Sequence, residues 1–102
     1  MKATIINGKK VKLKYRAKTS GGLSINYFGK IYHYVSCHIY GVENDPNWVV
    51  LVLVTDEFKD IHKSLTVVPA EDFQKLVDKF GGIHNRSLLH FELIKLCGAE
   101  AV

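Results

Sequence analysis

At 102 residues the chain has room for one domain with one thin core, and its 47% hydrophobic and 24% charged residues exclude a disordered polymer. The net charge of +4 is unevenly spread: residues 1–42 hold eight lysines and arginines and no acid, whereas residues 43–102 hold six bases against ten acids. No apolar run approaches the roughly 18 residues of a membrane span, and Met1-Lys2-Ala3-Thr4 lacks a signal-peptide core, so a cytoplasmic protein with no membrane partner is expected.

Thr4-Ile5-Ile6 runs into Asn7-Gly8, a dipeptide that suits a type I′ turn because both central positions need positive φ. The strand that follows alternates. Val11, Leu13, Tyr15 and Ala17 point one way, and Lys10, Lys12, Lys14, Arg16 and Lys18 the other. Ser20-Gly21-Gly22 ends it, Leu23 to Phe28 reads as a third strand, and Phe28-Gly29-Lys30 turns into a long fourth strand from Ile31 to Tyr40. One row of that strand is Ile31, Val35, Cys37 and Ile39, interrupted by His33; the other is Tyr32, Tyr34, Ser36, His38 and Tyr40. A loop of turn formers follows (Gly41, Asn44, Asp45, Pro46, Asn47). Trp48 to Val54 is then apolar at every position, the mark of a strand at the sheet centre with both faces covered.

Asp56 to Asp60 reads as a polar turn or hairpin tip and Leu65 to Val68 as a short strand. Pro69 suits a first helical position, and Glu71 and Asp72 lie where the helix dipole favours negative charge. Phe73, Leu76, Val77 and Phe80 form a core-facing stripe, and Gly81-Gly82 stops the helix. A second helix starts near Asn85 or Ser87 and ends at Gly98. Strands before helices indicate one α+β domain over 1–102: a mostly antiparallel sheet of five to six strands, with its first hairpin at Asn7-Gly8 and a central strand over 48–55, then helices over about 70–80 and 87–97. The second helix presents Leu88, Leu89, Phe91, Leu93, Ile94 and Leu96 over an arc too wide for one small sheet, which predicts a homodimer interface there.

The basic row is the strongest functional signal. Alternate strand residues project at steps of about 6.7 Å, so five positive heads span about 27 Å. That length tracks several phosphates, and neutralising them releases counterions. The competing reading is an edge strand on which lysine blocks aggregation. Lys10, Lys12, Lys14, Arg16 and Lys18 are the expected phosphate contacts, Lys9 and Lys30 flank them, and Tyr27, Tyr32, Tyr34, His38 and Tyr40, with Tyr32 and Tyr34 foremost, are candidate base-stacking platforms, against the plainer reading of tyrosines lining a covered sheet face. Asp56, Glu57, Asp60, His62, His84 and His90 lack metal-ligand spacing, and His33 reads as a hydrogen-bonded core histidine. Cys37 and Cys97 match no zinc or redox pattern and read as free thiols. Cys37 and His38, being strand neighbours, point to opposite faces and form no catalytic dyad. No cofactor is expected.

Val11-Lys12-Leu13-Lys14-Tyr15-Arg16, Leu23 to Tyr27, Trp48 to Val54 and Thr66 to Phe73 together resemble the later core of PD-(D/E)XK nucleases, loosely and over residues 11–80. The resemblance places Lys14 at the family lysine, but Lys12 stands where the family has a carboxylate and no Asp lies upstream, so it implies a nuclease scaffold without its metal site. In general look the chain is similar to small orphan proteins of phages and archaeal viruses, which would make its setting the host cytoplasm. The leading expectation is a non-catalytic nucleic-acid-binding protein. The alternative is an inhibitor or interaction module for an acidic partner surface, and the third a metal-dependent nuclease.

Overall fold

The computed structural model describes residues 3–20, 24–55, 65–80 and 86–102. The elements run β1 (Ala3–Ile6), β2 (Lys9–Ser20), β3 (Ile25–Tyr27), β4 (Lys30–Tyr32), β5 (Ser36–Val42), β6 (Asp45–Val54), β7 (Thr66–Pro69), α1 (Ala70–Lys79), α2 (Arg86–Leu96) and β8 (Ala99–Ala101). Five strands form an antiparallel sheet in the order β1-β2-β5-β6-β7, and three form a second sheet in the order β4-β3-β8. The expected α+β class, first hairpin and two helices are all present. The expected breaks at Gly21-Gly22 and Gly81-Gly82, the acidic tip at Asp56 to Asp60, and His62, His84 and Asn85 lie outside the described residues.

Asn7 (φ 52°) and Gly8 (φ 79°) hold the two central positions of the β1–β2 turn, both left-handed as a type I′ turn requires. Phe28 (φ 50°) and Gly29 (φ 83°) repeat that geometry between β3 and β4, where the Gly29 N–H donates to Asn26 Oδ1 at 2.9 Å. The fourth strand expected from Ile31 to Tyr40 is two strands instead. Tyr34 adopts φ 53°, which breaks an extended run, and β4 joins the small sheet while β5 joins the large one. Ile31 is consequently exposed opposite Asn26, and His33 is an exposed residue hydrogen-bonded through Nδ1 to Ser24 Oγ rather than a core histidine.

The all-apolar run behaves as its pattern demands. β6 lies between β5 and β7, one place from the middle strand β5. Val49, Leu51 and Leu53 enter one core with Cys37, Ile39, Phe73, Val77, Leu89, Leu93 and Ile94. Val50, Val52 and Val54 enter a second core with Ile6, Leu13, Tyr40 and Val42. The helices pack on the first of these faces. Pro69 caps α1 rather than opening it, and Phe73 and Val77 are its buried positions. Cys37 and Cys97 are free thiols, both buried. The hydrogen bond from the Cys37 thiol to Cys97, reinforced by burial, holds Cys37 well above its usual pKa and therefore unreactive.

The second helix leaves only part of the expected interface set at the surface. Leu89, Leu93 and Ile94 are buried within the chain itself, because β2, β5, β8 and α1 all pack against α2. What faces outward is Leu88 (51% exposed), Leu96 (43% exposed) and part of Phe91, around an ion pair between Lys95 and Glu92 at 3.5 Å. Gly98 (φ 88°) then ends the helix and sends the chain into β8, a strand the sequence pattern did not predict, which pairs with β3 through Tyr27 and Ala99.

His90 is buried on α2, with Nδ1 2.9 Å from Thr19 Oγ1 of β2. Burial disfavours the imidazolium and holds its pKa below the usual 6.5. The unfolded chain therefore binds a proton that the folded chain resists, so this contribution is intact above pH 6.5 and is lost as pH falls below it. The melting temperature is expected to drop between about pH 7.5 and about pH 5.5, and a His90→Gln variant should lose that part of the drop.

Candidate functional site

The row of cations is real but shorter than strict alternation predicts. Register between β2 and β5 runs Leu13↔Val42, Lys14↔Gly41 and Tyr15↔Tyr40, then shifts so that Ala17 faces Ile39, Lys18 faces His38 and Thr19 faces Cys37. Residues directly opposite share a face, so the extra residue at the bulge reverses the pattern. Lys10, Lys12 and Lys14 project from one face, whereas Lys18 projects from the other, beside His38 and Tyr40. Arg16, at the bulge, lays its aliphatic stem across β5: a β-carbon at Gly41 would sit 3.3 Å from Arg16 Cδ. The glycine supplies the slot in which this arginine lies. Lys9, Lys10, Lys12, Lys14, Arg16 and Lys18 are all exposed.

β2 is an inner strand by order, but no described stretch of it is paired on both sides. It pairs with β1 through Ala3↔Lys12 and Ile5↔Lys10, and with β5 along most of its length. Lys10 and Lys12 lie on the stretch whose described pairing is with β1 alone, and Lys14, Arg16 and Lys18 on the stretch whose described pairing is with β5 alone, so edge protection stands as the competing account of these cations.

Beside the basic row lies a cleft of about 500 Å³ between the β1–β2 hairpin and the β5–β6 turn. The Glu43 N–H donates to the Lys12 carbonyl at 2.9 Å, which ties that turn to β2. Lys9, Lys10 and Lys12 line one wall, Glu43, Asn44 and Asp45 the other, and Trp48, Ile6 and Val11 supply apolar surface. Asp45 Oδ1 accepts the Asn47 N–H at 3.1 Å and so shapes the turn, in which Asn44 takes φ 64°. Trp48 is half-buried against the second core.

The other expected site residues lie apart from this region. Lys30 and Tyr32 belong to β4 in the small sheet, where the Lys30 ammonium sits 5.1 Å from the Tyr32 ring centroid. Tyr34 is two residues from Ser36, which pairs with Ser20 at the end of β2 remote from the Asn7-Gly8 turn. The aromatics that do stand against β2 are Tyr15, His38 and Tyr40, with Tyr15 edge-on to His38 at 5.5 Å and to Tyr40 at 5.7 Å. Burial, and then the neighbouring Tyr15, pushes the Tyr40 phenol up, so it stays neutral at physiological pH. Tyr15 and Trp48 were not singled out from the sequence. Their placement depends on the bulge and on the turn at Glu43-Asn44, neither of which periodicity reports.

Among the described residues no three His, Cys, Asp or Glu side chains gather as metal ligands do. No helix in them is long and apolar enough to cross a membrane. Comparison of the chain with protein-family models, curated proteins and solved structures finds no match.

Proposed function

We propose that this protein binds nucleic acid through the β1–β2 end of its large sheet, with Lys10, Lys12, Lys14 and Arg16 as phosphate contacts and Lys9 beside them. The observation that carries this reading is the set of cations that β2 holds out to solvent. Lys9, Lys10, Lys12, Lys14 and Arg16 are all exposed, and among the described residues no carboxylate pairs with them. Cations held this way present concentrated positive charge to a polyanion without first having to break internal ion pairs.

Lys18, on the opposite face, contributes at most longer-range attraction in this arrangement. Phosphate contacts position a strand without reading its bases, so the proposed activity is sequence-tolerant. Three or four contacts predict a salt slope of about −3 on duplex and about −2.5 on single strands. Fluorescence anisotropy of a labelled oligonucleotide between about 50 and 200 mM salt measures it directly. Weak binding with a flat salt response would reject phosphate recognition and favour a partner held by other chemistry.

A further inference from the structure

The cleft beside the basic row deepens the proposed reading, on which this inference rests. We infer that it receives an unpaired base, and that the ligand is therefore single-stranded nucleic acid. Lys9, Lys10 and Lys12 border the cleft. Lys9, opposite Ile6, shares the second-core face with Val11 and Trp48 while Lys10 and Lys12 begin the row on the other face, so a strand held at the hairpin end of the row has a phosphate at Lys9 beside the cleft mouth. The facing wall carries Glu43 and Asp45, which repel phosphate. The two walls thus orient a nucleotide: its phosphate goes to Lys9 and its base toward the opposite side. Between them lies Trp48, one side packed on the second core and the rest lining the cleft. An indole fixed by packing loses little entropy on stacking, and every base offers it a flat face.

The volume, about 500 Å³, lies within the range of small-ligand sites. A base in a duplex is paired and stacked on both sides and reaches such a cleft only by being extruded from the helix. The mixed walls therefore select for strands whose bases are already free.

Trp48 is the only tryptophan of the chain, so its emission reports on this cleft alone. Oligodeoxycytidine of about eight nucleotides, within the site size of small single-strand binders, serves as the probe, with a duplex of equal length beside it. Anisotropy of the labelled probes reports binding, and tryptophan emission reports occupancy. The expected result is quenching of Trp48 by the single strand and little change with the duplex. Trp48→Leu should weaken single-strand binding roughly tenfold to a hundredfold and leave duplex binding unchanged. Because Trp48 also packs on the core, the variant's circular dichroism melt is recorded, and the wild-type quenching test stands whether or not the variant folds. Binding by anisotropy with unaltered Trp48 emission, or equal quenching by the duplex, would overturn the inference and leave the basic-row reading intact. No anisotropy change with either probe would overturn both.

Discussion

Replacing Lys12 and Lys14 together by alanine is expected to flatten the salt dependence of nucleic-acid binding by about two units on duplex and to weaken binding for all sequences alike. Both side chains are exposed on the same face, one alternate step apart, with Lys14 opposite Gly41. Removing them takes away two phosphate contacts and leaves the backbone pairing of β2 untouched. Exposed substitutions away from special features change stability by about 0.5 kcal/mol or less, so the melting temperature should hardly move. Lys18→Ala is the internal control. It stands on the opposite face, opposite His38, and should leave the slope nearly unchanged. Equal effects of Lys18→Ala and Lys14→Ala would mean that the bulge at Tyr15 does not divide the cations functionally.

A second large effect is expected at Leu93. Its side chain is fully buried in the first core, packed between α2 and the sheet. Leu93→Ala should cost about 2–5 kcal/mol, through lost transfer energy and the cavity left behind. For a domain of this length each kcal/mol moves the midpoint by about 4–8 °C, so the melt should fall by about 10 °C or more. Leu88, on the same helix but 51% exposed, should give nearly wild-type stability as alanine. The pair separates the two roles the helix was expected to combine. A large loss at Leu93 with none at Leu88 marks a helix used for the chain's own core, while a concentration-dependent loss at Leu88 would mark an association surface.

Local signals were legible where neighbours along the chain decide the outcome. Asn7-Gly8 announces its turn because few residues accept two consecutive positive φ values. The unbroken apolar run from Trp48 to Val54 announces burial on both faces, and the spacing of Phe73 and Val77 announces the inner side of α1. The partitioning of the charges along the chain was also readable, and it pointed to β2.

Features set by a partner strand were not legible. The bulge that sends Lys18 to the far side of the sheet exists only in the pairing of β2 with β5. Tyr34 breaks its strand although tyrosine favours extended backbone, because β4 and β5 serve different sheets. Phe28 likewise accepts a left-handed turn position, where its ring lies edge-on to Tyr27 at 4.6 Å. The excess of apolar residues on α2 was visible, but the burial of Leu89, Leu93 and Ile94 inside the chain was not. A second small sheet, built partly from β8, adds to the surface that covers Leu89, Leu93 and Ile94.

The most direct test of the account is to map contacts residue by residue on the isotopically labelled protein. In amide-shift titrations with a short single-stranded oligonucleotide, the account predicts perturbations along Lys9 to Arg16 and through the Glu43-Asn44 turn to Trp48. It predicts none along α1, Ala70 to Lys79. Shifts concentrated on α1, or spread evenly over the surface with no excess on β2, would contradict it.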